Sequence, residues 1–132
     1  MAFTPEEREF LTSQRLGRVS TASSDAEPDV AVVGFSVDPD GEIVIGGLDN
    51  PRTIKWRNVL ATGRAAFVVD DLVSITPWRP RGLKVRGRAE GISDIEGHHV
   101  IVIRPETVWS WGINRNAPTY FAGVVEKRTF NL

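Results

Sequence analysis

Beyond Gly17 the spacing of apolar residues switches to a period of two, in short runs separated by turn signals. That pattern restricts the chain to a β-rich fold of short strands. Arg18–Ser23 reads as a strand and Asp25-Ala26-Glu27-Pro28 as a turn. Val30–Val37 reads as a second strand, and its run Val30-Ala31-Val32-Val33 predicts burial on both faces. Asp38-Pro39-Asp40-Gly41 combines three turn-forming residue types. Glu42–Ile45 follows as a third strand, so the first three describe an antiparallel meander. Further strands are predicted at Ala65–Val69, Leu83–Glu90, Val100–Ile103 and Val108–Trp111. In Leu83–Glu90 the alternation is strict, with Leu83, Val85, Gly87 and Ala89 on one face and Lys84, Arg86, Arg88 and Glu90 on the other. Gly87 within such a strand predicts a bulge or a close backbone approach. Residues 114–132 show no clear period.

Two helices interrupt this pattern. Thr4, Pro5 and Glu7 form the start signal of the first, with Thr4 as cap, Pro5 in the first turn and Glu7 closing a capping box. Phe10, Leu11 and Leu16 give it an apolar side, and Gly17 is predicted to end it. The second is predicted from Asn50-Pro51 to about Ala61, with Asn50 as cap and Gly63 as the stop. The expected architecture is a single-domain, mainly β fold over residues 1–132: a six-stranded antiparallel barrel with an N-terminal helix and a short inserted helix.

At 132 residues the chain is long enough for a hydrophobic core without metal or disulfide support. It contains no cysteine, which excludes disulfides, thiolate chemistry and cysteine-ligated zinc. A net charge of −1 argues against general binding to nucleic acid or to anionic membrane surfaces. No apolar run is long enough to span a membrane. The first residues are acidic, not basic-then-apolar, so the expected compartment is the cytoplasm.

Arg52, Lys55 and Arg57 cluster at the predicted start of the second helix. A helix N-terminus already bears partial positive charge, so cations there repel it. Arg52 and Lys55 share a helix face, and Gly46-Gly47 just before them allows close approach to the backbone. Asn50 and Thr53 add hydrogen-bonding groups. Two readings remain at this level: an anion site, with phosphate at the helix N-terminus, or a solvated basic face. The segment Pro77–Arg88 holds five more basic residues, readable as ligand contacts or as the outer face of a strand opposite acids. His98 and His99 are adjacent and would point to opposite faces, so no metal site is expected. Trp109 and Trp111 share a face, suited to stacking on a ring or to packing. No candidate general acid, base or nucleophile stands out, so catalytic residues are unassigned.

The order of these segments adds information. A helix is followed by Gly17-Arg18-Val19-Ser20-Thr21, a Pro-headed strand and Asp40-Gly41. Then come Pro51-Arg52-Thr53-Ile54-Lys55-Trp56-Arg57-Asn58-Val59, a strand ending Asp70-Asp71, Pro77-Trp78-Arg79-Pro80-Arg81-Gly82, Val85-Arg86-Gly87-Arg88-Ala89-Glu90 and Ile103-Arg104-Pro105. Over about residues 6–112 this resembles the pyridoxamine 5′-phosphate oxidase-like split-barrel superfamily, and most of all its actinobacterial branch of deazaflavin (coenzyme F-420)-dependent enzymes. The resemblance implies a six-stranded split barrel and a homodimer with cofactor sites at the interface. It implies an oxidoreductase that passes hydride from coenzyme F-420 to a small organic substrate, with FMN as the alternative cofactor and a non-catalytic flavin or deazaflavin carrier as the alternative role. It places the cofactor phosphate on Lys55, Arg57 and Asn58, preceded by Arg52 and Thr53. It sets Gly47 at the end of a strand lining the site, Trp78 and Arg81 near the ring system, and Trp111 near the partner subunit. The C-terminal substrate segment of true pyridoxamine phosphate oxidases is not recognisable in 114–132, so vitamin B6 phosphate oxidation is not expected.

Overall fold

The structure, a computed structural model, describes residues 2–113 and 125–130. Helix α1 (Pro5–Ser13) leads into strands β1 (Leu16–Ala22), β2 (Pro28–Gly34), β3 (Ser36–Val37) and β4 (Ile43–Ile45). A 3-10 turn at Asn50–Arg52 and helix α2 (Ile54–Thr62) interrupt the strands. Then β5 (Arg64–Leu72), β6 (Pro80–Ser93), β7 (His99–Trp111) and β8 (Val125–Thr129) complete a single sheet. All its pairs are antiparallel. The order is β2-β1-β5-β6-β7-β4-β3, with β8 also on β7.

This topology curls the sheet. Its two end strands, β2 and β3, are separated in sequence only by Phe35, so the edges meet at that corner. The free edge of β7 is divided, with Ile101–Ile103 pairing β4 and Thr107–Trp111 pairing β8. The result is a split barrel. Its interior is filled by Phe67, Ile43, Ile45, Leu83, Ile101 and Ile103, with Leu11 of α1 closing one end.

Several expectations hold. Thr4 Oγ1 accepts the Glu7 N–H and Glu7 Oε1 accepts the Thr4 N–H, so the capping box is formed. Gly63 ends α2 in the left-handed conformation (φ 67°). The alternation of Leu83–Glu90 matches its burial residue for residue. Gly87 marks a register shift in the β6–β7 pairing, and a Cβ there would collide with the Arg104 carbonyl.

Other expectations are corrected. Helix α1 ends at Ser13, because Gln14 turns extended and donates its N–H to the Leu11 carbonyl. Gly17 lies within β1, where the ring of Phe67 occupies the space a side chain would need. Its conservation of space is a packing requirement, not a helix stop. Val30 and Val32 are 67% and 66% exposed, since β2 is an edge strand with one face outward. Val30–Val37 is two strands, broken at Phe35, and the two predicted strands at Val100–Ile103 and Val108–Trp111 are one continuous β7, because the bulge at Gly87 accommodates Pro105. Strand β8 makes the count eight instead of six; most of 114–132, which showed no period, lies outside the described residues. Among the described residues no helix is long and apolar enough to cross a membrane.

Candidate cofactor site

The turn between β4 and α2 is built on Asn50, which is 2% exposed. Its Nδ2 donates to the carbonyls of Ile45 (3.2 Å) and His99 (2.9 Å), tying the turn to the ends of β4 and β7. Its Oδ1 is buried with no hydrogen-bond partner among the described residues. Gly47 lies flat against this amide, and a Cβ there would sit 2.8 Å from Oδ1. Gly46 is open, with nothing within 4 Å of where a Cβ would stand. The turn therefore leaves a stretch of bare backbone exposed just ahead of the basic residues.

Thr53, not Asn50, caps α2. Its Oγ1 accepts the Trp56 N–H (3.2 Å) and donates to the Asn50 carbonyl (2.7 Å). Asn58 is buried and donates to Thr21 Oγ1 (3.0 Å), holding α2 against β1. The Trp56 ring lies over Gly91, where a Cβ would come within 2.6 Å, and meets His99 edge-on at 5.7 Å. Both polar groups that sequence reading set beside the phosphate are thus engaged in holding the helix.

The cations differ among themselves. Arg52 precedes α2 and pairs with Asp49 (3.2 Å), an acid the sequence reading left out of account. That pair is largely exposed and so weak. Lys55 and Arg57 sit in the first turns of α2 and have no ion-pair partner among the described residues. In the chain they follow the exposed backbone of Gly46 and Gly47.

Trp78, Arg81 and Trp111 lie elsewhere. Helix α2 meets β6 near Ala89 and Gly91, whereas Arg81 is at the other end of that strand. The eight residue steps from Arg81 to Ala89 span about 26 Å of strand. Arg81 holds Asp71 through two hydrogen bonds, Nε to Oδ1 (2.8 Å) and Nη2 to Oδ2 (2.6 Å), and rests 4.9 Å from the Phe10 ring centre. The Arg81 hydrogen bonds hold the Asp71 carboxyl below its usual range despite partial burial, with Gln14 assisting. Trp111 packs over Gly82, which has no side chain to obstruct it, and Trp78 is exposed on the β5–β6 connection. Within one chain, the structure does not bring these three together with Lys55 and Arg57.

Asp38 and Asp40, read from sequence as turn residues, and Glu42, read as a strand start, converge at the β3–β4 turn. Asp38 Oδ1 already accepts the N–H groups of Asp40 and Glu42, and Glu42 pairs with Arg104.

The described residues thus form an antiparallel split barrel with a basic helix start that follows exposed glycine backbone. The chain belongs to the pyridoxamine 5′-phosphate oxidase family, which it matches over residues 3–112. It is 34% identical over 127 residues to the 5a,11a-dehydrotetracycline/5a,11a-dehydrooxytetracycline reductase of Streptomyces rimosus, covering 90% of this chain and 89% of that protein. Among solved structures, a haem-binding protein from Mycobacterium smegmatis superposes with a TM-score of 0.72 at 18% identity, covering 94% of this chain; the chain spans 56% of that protein. A conserved hypothetical protein from Mycobacterium tuberculosis gives 0.70 at 19% identity, covering 83% of this chain and 85% of that one. An FAD-binding protein from Mycobacterium smegmatis gives 0.60 at 22%, covering 80% and 91%. The structural likenesses establish the fold; similarity to a reductase along nearly the whole chain supports an oxidoreductase.

Proposed function

We propose that this chain is a flavin-type reductase that uses a deazaflavin, coenzyme F-420, to reduce an activated double bond in a small organic substrate. The observation that favours it is the unneutralised pair Lys55 and Arg57 beside the open Gly46-Gly47 backbone, in a chain 34% identical to a reductase of a polycyclic substrate. When bound, the reduced cofactor supplies a hydride to an electron-poor carbon, and water supplies the balancing proton. The protein's part is binding and orientation. Lys55 and Arg57, with Arg52 swinging from Asp49, hold the phosphate; Gly47 keeps the backbone low enough for it to approach; Thr53 and Asn58 fix the helix that presents these groups.

Trp78, Arg81 and Trp111 remain proposed contacts for the ring end, and a second copy of the chain is what would place them opposite α2. We therefore include a homodimer with interface sites in the proposal, acting in the cytoplasm. Fluorescence titration with coenzyme F-420 and with FMN tests it. Coenzyme F-420 is expected to bind more tightly, and Arg52→Ala with Lys55→Ala is expected to weaken it by roughly 100-fold, about 2.7 kcal/mol, with an unchanged melting curve. Unchanged affinity would overturn the site. Oxidation of the reduced cofactor by polycyclic enones tests catalysis; tight binding with no turnover would make the protein a carrier.

A further inference from the structure

Trp109 of β7 is ringed by three cations on the outer face of the sheet. Lys84 Nζ stands 4.4 Å from its ring centre, Arg86 Cζ 5.2 Å and Lys127 Nζ 5.5 Å. The register explains the convergence: Lys84 on β6 and Lys127 on β8 are the two cross-strand neighbours of Trp109, and Arg86 is two residues along β6 on the same face. Cation–ring attraction favours each contact singly. Three positive charges about one ring also repel one another, and no carboxylate pairs with any of them among the described residues.

The surrounding surface is built differently. Past the bulge, Arg88 of β6 and Arg64 of β5 share Glu106, and Arg104 takes Glu42 and Glu90. Arg18, one strand further out, takes Asp70. Counter-charges are thus supplied along this face and withheld at Trp109. The patch also has an apolar floor, the half-buried Trp109, with Val68 on the far side of Lys84, and the next row across the strands is Arg86, the buried Thr107 and Thr129.

We infer that the Trp109 platform is a second binding site, distinct from the α2 site, for a small organic anion with two or more negative charges. Its charged groups bridge Lys84, Arg86 and Lys127 while its carbon skeleton lies against the indole. The site stands on these contacts alone and is independent of the cofactor reading. An ammonium drawn from the ring to an anion alters the indole's surroundings, so binding has its own optical signal.

Citrate, pyrophosphate and acetate, titrated into the purified full chain at low salt and followed by calorimetry and tryptophan fluorescence, provide the test. Citrate and pyrophosphate are expected to saturate, acetate is not, and affinity is expected to fall as salt rises. Lys84→Gln with Lys127→Gln should weaken citrate by at least about tenfold. Lys84→Arg with Lys127→Arg should retain binding, and Lys55→Gln with Arg57→Gln should leave the citrate-induced tryptophan fluorescence change and its midpoint unchanged. Trp109→Phe should remove the fluorescence change while citrate heat persists. Each of four results would overturn the inference: no saturable binding, equal binding of acetate, indifference to the loss of both lysines, or loss of a dimer in the lysine-to-glutamine variant with anion affinity intact. The last would assign this face to a second copy of the chain.

Discussion

Arg86 and Arg88 occupy the same face of the same strand, two residues apart, yet the structure gives them opposite surroundings. Arg88 faces Glu106, shared with Arg64, in a patch where Arg104 also has two acids. Arg86 faces Trp109 alongside two lysines and, among the described residues, no paired acid. Lys127 and Arg128 repeat the contrast across β8: Lys127 lies over Trp109, while Arg128 turns to the buried carboxylate of Glu7. Arg81, matched by Asp71, and Lys55, matched by nothing described, make a third such pair. A partly buried basic residue with a built-in counter-charge is tied to the fold, whatever else it contacts; one left without it is free to take a ligand. The rule is breakable, since the first kind should cost stability when disturbed and the second kind should not.

The largest stability effect is expected at Glu7, a buried carboxylate. Burial would raise its pKa, but hydrogen bonds from Arg128, Ser110 and Thr4 bring it below the usual value. Glu7→Ala removes the partner of Arg128 and half of the capping box, and should cost about 2 kcal/mol in urea denaturation. A midpoint equal to the parent's would break the comparison. Next is Asp71→Asn, expected to cost about 1 kcal/mol at neutral pH. The Asp71 carboxyl is depressed in the folded chain by its Arg81 hydrogen bonds. Its contribution is therefore present above the ordinary carboxylate pKa of about 4 and is lost as pH falls through the lower folded value. The substitution should flatten that acid limb of the stability curve, and a curve parallel to the parent's would remove Asp71 from the argument.

Glu106→Gln sharpens the contrast. It strips Arg64 and Arg88 of their shared acid at an expected cost of about 0.5 kcal/mol, and should create new, weak citrate binding at that patch in calorimetry. Failure to gain any would mean that unmatched charge alone does not make an anion site. The smallest effect is expected from Arg86→Gln, within about 0.5 kcal/mol in thermal melting. A clear loss of stability there would show that the Trp109 cluster is structural.

Much of the fold was legible in the sequence because it rests on local signals. The capping box needs only Thr4 and Glu7, three residues apart, and the burial of Leu83–Glu90 follows from the two-residue strand period. Gly17 was misread for a physical reason: a glycine that stops a helix and a glycine that admits Phe67 from a distant strand look alike in sequence. The valines of β2 read as buried because nothing local reveals that the strand lies at an edge. At the candidate site, the basic helix start was visible, and so was Gly47. That Thr53 and Asn58 hold the helix, or that Arg52 meets Asp49, depended on where side chains turn. Trp109 was weighed as a stacking or packing residue, but its three cations come from separate strands and could not be seen together.

The alternation of strands and turns, the capping box of the first helix and the inventory of charges act within a few residues, and local sequence sets them. Which charge meets which is set by the folded chain. Pairing depends on register across strands far apart in the chain, and Coulomb attraction acts on distance in space, not on separation along the sequence.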